Sequence, residues 1–330
     1  MKIGILGIGA WATAIAILVS ETNNQVVVWS HEKETIDSIR EMGVNRKYLP
    51  GFTINPKIRY TDFIDEVTEC DLIVQAIPTQ HIRHTLQKNS LDLSKKSVLN
   101  VAKGIEKESL KRISEILQDF GCTKDNYAVL TGPSHAEEVA AKIPTATVVA
   151  SANPDLARTI QGLLSNAYFR VYSSQDVIGC EMGGALKNVI AIAAGIIDGL
   201  NLGDNSKAAL ITRGLAEISR LGVSLGANPL TFSGLSGLGD LVVTCISRHS
   251  RNRYVGENIA KGKTLEEILS GMSAIAEGVD TTVSAYLLGQ RQNVEMPITE
   301  KVYEILFRQL DPTIAITDLM LRQTKPEWWW

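Results

Sequence analysis

The 330-residue sequence is short of the residues that build metal sites and disulfide frameworks. Its four cysteines, Cys70, Cys122, Cys180 and Cys245, are widely spaced and form no CxxC pair, and there are only five histidines. No metal site and no disulfide are expected from that pattern, and such cysteines read as reduced core residues of a cytosolic protein. Charge of one sign is lacking too. A net charge of −3 gives no field able to hold a polyanion, so no nucleic-acid partner is expected and any phosphate must be bound by locally placed Lys and Arg. The apolar run from Val189 to Ile197 is too short for a bilayer and lies directly behind Lys187. The N-terminus enters a strand after one lysine, with no signal-peptide layout. A soluble, cytoplasmic protein without stable membrane insertion is expected. No repeat or low-complexity tract is present apart from the tail Trp328–Trp330.

What is present has ordinary globular proportions, 45% hydrophobic and 21% charged residues, and a length sufficient for two domains with separate cores. Lys2 to Leu6 is an apolar run that stops at glycine, as a buried parallel strand does. Trp11 to Ser20 has helical spacing, Val26 to Trp29 reads as a second strand, and Glu32 to Met42 as a charged helix. Further strands are expected at Asp71–Ala76, Ser97–Val101, Tyr127–Thr131 and Thr145–Ser151, mostly separated by helical stretches. The alternation predicts an α/β fold, a doubly wound parallel sheet with helices on both faces. From Cys180 to Gly222 the pattern changes to long helices of small residues, so the division is placed at residue 178. Residues 1–178 form the expected dinucleotide-binding (Rossmann) domain, and 179–330 a mostly α-helical substrate domain.

Gly7-Ile8-Gly9-Ala10-Trp11-Ala12 joins the first strand to the first helix. Gly7 permits the tight turn and Gly9 lets backbone N–H groups approach a pyrophosphate at the positive helix end. Ala12 replaces the third glycine and still allows close packing. At the end of the second strand, Ser30 and His31, with Lys33 behind, stand where an NAD-selective site usually has an acidic side chain. That favours NADP over NAD, the alternative being a merely solvated helix start.

Oxidation of a secondary alcohol to a ketone requires a base besides the hydride acceptor. Lys187 lies in Gly183-Gly184-Ala185-Leu186-Lys187-Asn188-Val189, a small, apolar helix where burial lowers a lysine pKa and makes a neutral amine available. The competing reading is a lysine snorkelling from an apolar face. Asp240, ending a glycine-rich loop, is a candidate partner for Lys187, and Thr244 lies one helical turn further. Ser250-Arg251-Asn252 precedes an expected helix, Arg253 to Ala260, and combines free backbone donors with a guanidinium fork suited to phosphate. Its bland alternative is an N-cap beside a solvated arginine. Lys103-Gly104 and Gly132-Pro133-Ser134-His135-Ala136 each follow a strand at the carboxyl edge, where ligands bind in this fold.

Taken in order, GIGAWATA (Gly7–Ala14), NRKYLPG (Asn45–Gly51), AKG (Ala102–Gly104), GPSHAEEVA (Gly132–Ala140), GALKNVIAIAAGIIDGL (Gly184–Leu200), TRGLAEISRLG (Thr212–Gly222), GLGDLVVTC (Gly237–Cys245), SRNR (Ser250–Arg253) and AEGV (Ala276–Val279) resemble the bacterial glycerol-3-phosphate dehydrogenase family over nearly the whole chain. The resemblance implies hydride exchange between NAD(P)H and dihydroxyacetone phosphate, with Lys187 as proton acceptor aided by Asp240. It implies substrate contacts from Lys103, Gly132, Ser134, Asn188, Asp240, Thr244, Ser250, Arg251 and Asn252. Gly7, Gly9, Ala10, Trp11, Lys103, Ala136, Arg251, Ile275 and Glu277 match cofactor-contact positions, while Ser30 and His31 match the 2′-phosphate end. It further implies a cytoplasmic homodimer that makes glycerol phosphate for phospholipid synthesis. His135 departs from the pattern, standing where an apolar aromatic is more usual. A sugar-acid or β-hydroxyacid dehydrogenase, or a nucleotide sensor without turnover, are the competing readings.

Overall fold

The computed structural model describes residues 1–272, 274–324 and 326–327; the tail Trp328–Trp330 lies outside the described residues. Among the described residues there are ten strands: β1 (Lys2–Leu6), β2 (Gln25–Trp29), β3 (Val44–Asn45), β4 (Leu49–Thr53), β5 (Arg59–Thr61), β6 (Leu72–Gln75), β7 (Ser97–Asn100), β8 (Tyr127–Thr131), β9 (Thr145–Ala150) and β10 (Phe169–Ser174). Eight of them form one sheet in the order β10-β9-β8-β7-β6-β1-β2-β5, and β3 pairs with β4 as a separate hairpin.

The sheet is buried on both faces, and successive residues alternate between two cores. On β2, Val26 and Val28 enter one apolar cluster while Val27 and Trp29 enter the other. On β8, Ala128 and Leu130 face the first, and Tyr127 and Val129 the second. A run that is apolar at every position has this consequence in a sheet covered by helices on both sides.

The sheet is parallel as expected, with one pair that runs the other way. β8 and β9 pair antiparallel, whereas β9 and β10 pair parallel. The segment joining β8 to β9 carries only a five-residue helix, Ala136–Ala140, and returns the chain beside the strand it has just left.

A third core, in the second half of the chain, is helical. At its centre lies the helix Val177–Gly199, long and apolar enough to cross a membrane by length and composition, yet with every residue of that apolar window buried inside the fold. The apolar run noted in the sequence is part of this core helix. Three carboxylates fasten it. Asp176 caps its first turn through Gly179 N and also accepts from Asn228 N and Thr231 Oγ1. Glu181 accepts from Arg112 Nη1, Ser114 N, Ser114 Oγ and Tyr127 OH, tying the helix to the sheet domain. Asp198 pairs with Lys207 and with Arg253 Nε. Against this helix crosses Arg251–Ala260, and the crossing is made by glycines. A Cβ on Gly195 would collide with Arg253 O, and one on Gly256 with Ile192 O, so backbone rests on backbone.

Candidate functional site

The carboxyl edge of the sheet presents five segments in register. From β8 to β2 they are Gly132–Ala136, Lys103–Gly104, Pro78–Thr79, Gly7–Trp11 and Ser30–His31. Four strand spacings separate the first from the last, about 19 Å at about 4.8 Å per step, enough for an extended ligand lying across the edge.

The glycine turn has the form a dinucleotide requires. Gly7 has φ +117° and its N donates to Trp29 O. An added Cβ there would press on Ala76 O at 3.0 Å, whereas one on Gly9 meets nothing within 4 Å. The helix Ala10–Ser20 begins without a side-chain cap, so its first-turn N–H groups face the edge with the positive end of the dipole behind them. Trp11 Nε1 is buried without a partner. From beneath, the wholly buried Asn45 donates through Nδ2 to Ile8 O and to Thr13 Oγ1, each at 2.8 Å. Ala136 is buried against Ala14 and Leu49 of the same neighbourhood.

At the end of β2, Ser30 is buried and its Oγ accepts from Glu32 N at 3.1 Å, while His31 and Lys33 are exposed. The carboxylate nearest in the chain, Glu32, is already engaged by Tyr48 OH at 2.6 Å, Lys47 Nζ at 2.7 Å and Thr35 Oγ1 at 2.8 Å. Burial alone would raise its pKa, but Lys47 and Tyr48 hold it below the usual carboxylate value. Between Ser30 and Lys33 the exposed side chains, His31 and Lys33, are basic.

The densest cluster surrounds Asp240, which is 1% exposed. Its Oδ1 accepts from Lys187 Nζ at 2.5 Å and its Oδ2 from Lys103 Nζ at 2.7 Å. Lys187 Nζ also donates to Thr244 Oγ1 at 2.7 Å, and Thr244 Oγ1 returns to Asp240 O. Lys103 reaches Gly132 O at 3.3 Å, an oxygen that also accepts from Ser134 Oγ at 2.9 Å. Burial drives the Lys187 pKa down to about 8, with Lys103 pushing the same way against the opposing pull of Asp240. Burial raises the Asp240 pKa, but the two lysines outweigh it and hold the group below its ordinary value. The lysine is withdrawn from water, and the snorkelling reading is set aside. That Lys103 shares the carboxylate was not legible from spacing.

A second cluster lies where the sheet domain meets the helical domain. The helix expected from Arg253 starts two residues earlier, at Arg251, because Ser250 Oγ caps Arg253 N; Arg251 and Asn252 therefore sit in its first turn. Asn252 Oδ1 accepts from Gly278 N at 2.9 Å, and Gly278 also abuts Asn188 O. Arg251 is exposed and donates to Ile275 O at 3.1 Å. Glu277 accepts from Thr79 N at 3.0 Å across the two domains, and burial raises its pKa to about 7. Thr79 escaped the sequence reading, although it follows β6 at the same edge as Lys103 follows β7. The glycine-rich stretch before Asp240 is no loop either: Leu235–Gly239 is a π-helical turn running directly into the helix Asp240–Ile246.

A doubly wound sheet with a free glycine-turn edge, set against a buried lysine of lowered pKa, defines a nicotinamide-dependent oxidoreductase. Residues 2–157 match the family described as NAD-dependent glycerol-3-phosphate dehydrogenase N-terminus, and residues 176–317 match its C-terminus counterpart. The chain is 49% identical over 330 residues to the glycerol-3-phosphate dehydrogenase [NAD(P)+] of Lysinibacillus sphaericus, covering 99% of this chain and 98% of that relative. It is also 49% identical over 331 residues to the enzyme of that name from Chlorobium phaeobacteroides, covering 99% of each. The crystal structure of glycerol-3-phosphate dehydrogenase from Coxiella burnetii superposes with a TM-score of 0.92 at 36% identity, covering 97% of this chain and 99% of that one. The chain belongs to the NAD-dependent glycerol-3-phosphate dehydrogenase family.

Proposed function

We propose that this protein is an NAD(P)-dependent sn-glycerol-3-phosphate dehydrogenase, interconverting dihydroxyacetone phosphate and sn-glycerol 3-phosphate. The observation that carries the reading is the buried Lys187–Asp240–Lys103 cluster, set between the dinucleotide edge and the first turn of Arg251–Ala260. When bound at that edge, a nicotinamide cofactor would supply the hydride chemistry of the reaction.

The chain's own groups handle the proton and the orientation. In the reducing direction Lys187 Nζ donates a proton to the carbonyl oxygen as the carbon gains hydride; in the oxidising direction the neutral amine removes the hydroxyl proton. A pKa near 8 keeps both forms accessible close to neutrality. Asp240 holds the ammonium in place, and Lys103 adds a second positive charge beside the developing oxyanion. Thr244, Asn188, Gly132 and Ser134 complete the shell around the reacting carbon. The substrate phosphate is held by Arg251, Asn252 and Ser250. Asn252 has its Oδ1 occupied by Gly278 N and is left with amide donors to offer. Binding energy from the phosphate orients the carbon, so substrates lacking it lose turnover as well as affinity.

Gly7, Gly9, Ala10 and Trp11 would hold the pyrophosphate, and Lys103, Ala136, Arg251, Ile275 and Glu277 would hold the nicotinamide end. Ser30 and His31 would receive the adenosine ribose. The exposed basic groups there support NADP as the preferred cofactor. Residues 1–178 act as the cofactor domain and 179–330 as the substrate domain. The same reading makes the protein a cytoplasmic homodimer that supplies glycerol phosphate for phospholipid synthesis.

The test is loss of absorbance at 340 nm with dihydroxyacetone phosphate, with NADPH and NADH in parallel. Turnover with a higher rate for NADPH is expected. Folded protein that turns over neither pair refutes the substrate assignment and moves the sugar-acid dehydrogenase or sensor reading to the front.

A further inference from the structure

His135 stands between Ser134 and Ala136, in the segment whose Gly132 is bonded to Lys103. As the residue before the helix Ala136–Ala140 it makes no side-chain cap, and its Nε2 is buried with no partner. Its ring lies 5.8 Å from that of His249, tilted by 49°. His249 is exposed and immediately precedes Ser250, Arg251 and Asn252. The two imidazoles therefore bridge the sheet domain and the helical domain at the end of the cleft where the phosphate is placed above. An unpaired buried ring nitrogen costs free energy unless a ligand satisfies it.

We propose that His135, backed by His249, is a second, protonatable arm of the phosphate clamp, contacting the substrate phosphate from the side opposite Arg251. The inference rests on the assignment of the phosphate to Arg251 and Asn252.

The charges facing His135 are Lys187 on the core helix, Lys103 behind β7, Asp240 on its own helix and Glu137 in the adjacent turn, with the His249 ring on the far side. Burial and then Lys187 push the His135 pKa below its usual value, against the weaker opposing effects of Glu137 and Asp240. The imidazole is thus neutral in the free enzyme at neutral pH. A phosphate dianion brought beside it stabilises the imidazolium, so the complex takes up a proton. The affinity contributed by this arm is full at low pH and is lost as pH rises through the pKa of the complex.

The experiment is calorimetric titration of sn-glycerol 3-phosphate into NADPH-saturated enzyme, a pair that cannot react, in buffers of different ionisation enthalpy at pH 6.5 and 8.5. Wild type is compared with His135→Phe, which keeps an aromatic ring of similar shape, and with His249→Gln at the surface. The proton released or taken up by the phosphate itself is common to all three and cancels. Binding to His135→Phe is expected to be about tenfold weaker at pH 6.5, with less proton uptake than wild type and a smaller gap at pH 8.5; His249→Gln should move both in the same direction. Equal affinity and equal proton uptake in wild type and His135→Phe overturn the proposal. An Arg251→Ala control separates the two readings. If it weakens binding while His135→Phe does not, only the histidine arm fails; if Arg251→Ala binds normally, the phosphate assignment itself fails.

Discussion

Replacing Asp240 with asparagine removes one negative charge from between two lysines while keeping the side chain's shape. In the native site its carboxylate lies 2.5 Å from Lys187 Nζ and 2.7 Å from Lys103 Nζ. Taking about 4 Å between charge centres and an effective dielectric of about 20, one such charge is worth about 4 kcal/mol, or about 3 pKa units. Relaxation and a shift of the partly exposed Lys103 reduce this, so a fall of about 2 units is the working figure. Lys187 then titrates near 6 rather than near 8. At pH 7 its protonated fraction drops from about nine-tenths to about one-tenth, so the reduction of dihydroxyacetone phosphate slows about tenfold from loss of the proton donor alone. Oxidation of glycerol phosphate, which uses the neutral amine, has no such loss at that pH. The assay is kcat against pH from 5 to 10 in both directions, with NADPH binding followed by fluorescence to show an intact cofactor domain. In wild type, reduction should fall and oxidation should rise through pH 8; in Asp240→Asn both limbs should move down together. Limbs that stay near 8, with both directions slowed equally, would show that Asp240 does not set the Lys187 equilibrium.

Three other outcomes follow from features of the fold. His31→Asp places a carboxylate at the exposed corner beyond β2 and should raise the NADH-to-NADPH rate ratio about tenfold, the effect of about 1.4 kcal/mol; an unchanged ratio means the corner does not read the 2′-phosphate. Glu217 is buried, accepts from Ile298 N and Thr299 N, and burial raises its pKa to about 7. Its folded pKa exceeds its unfolded one, so its contribution to stability is full below about 4.5 and declines as pH rises through 7, by up to about 3 kcal/mol. Glu217→Gln should flatten the melting temperature between pH 5 and 8, and a profile parallel to wild type would contradict this. Gly256→Ala should destabilise the protein by about 1–3 kcal/mol or more in urea and raise KM for dihydroxyacetone phosphate, since Arg251 and Asn252 ride on the displaced helix; normal values for both would count against the close crossing.

Much of the sheet was legible because buried parallel strands leave a plain trace: an apolar run ended by glycine or a turn. β1 and β8 fall where that rule puts them, and β2, β6, β7 and β9 within a residue at each end. What escaped had weaker causes behind it. β10 reads Phe-Arg-Val-Tyr-Ser-Ser, an edge strand with its polar positions facing outward, and β5 has only three residues; both borrow their order from a neighbour. The antiparallel β8–β9 pair depends on a short connection rather than on either strand's composition. At the site, Lys187 and Asp240 were pairable from their surroundings, but the convergence of Lys103 on the same carboxylate depends on how the two domains dock. Thr79 meets Glu277 across 198 positions of sequence, a distance that no local pattern spans.

The glycine crossing fixes a length. Lys187 and the first turn of Arg251–Ala260 belong to two helices whose separation is set by the main chain at Gly195 and Gly256, with Asp198 bonded to Arg253 as a tether. Main-chain atoms in contact do not repack as side chains do. On the proposed roles of Lys187 and Arg251, the interval between them is a gauge built into the protein, and a substrate would be selected by whether its reacting carbon sits the right number of bonds from its phosphate. Widening that gauge for a longer phosphorylated ketone requires changing how two helices touch, not enlarging the walls of the cleft.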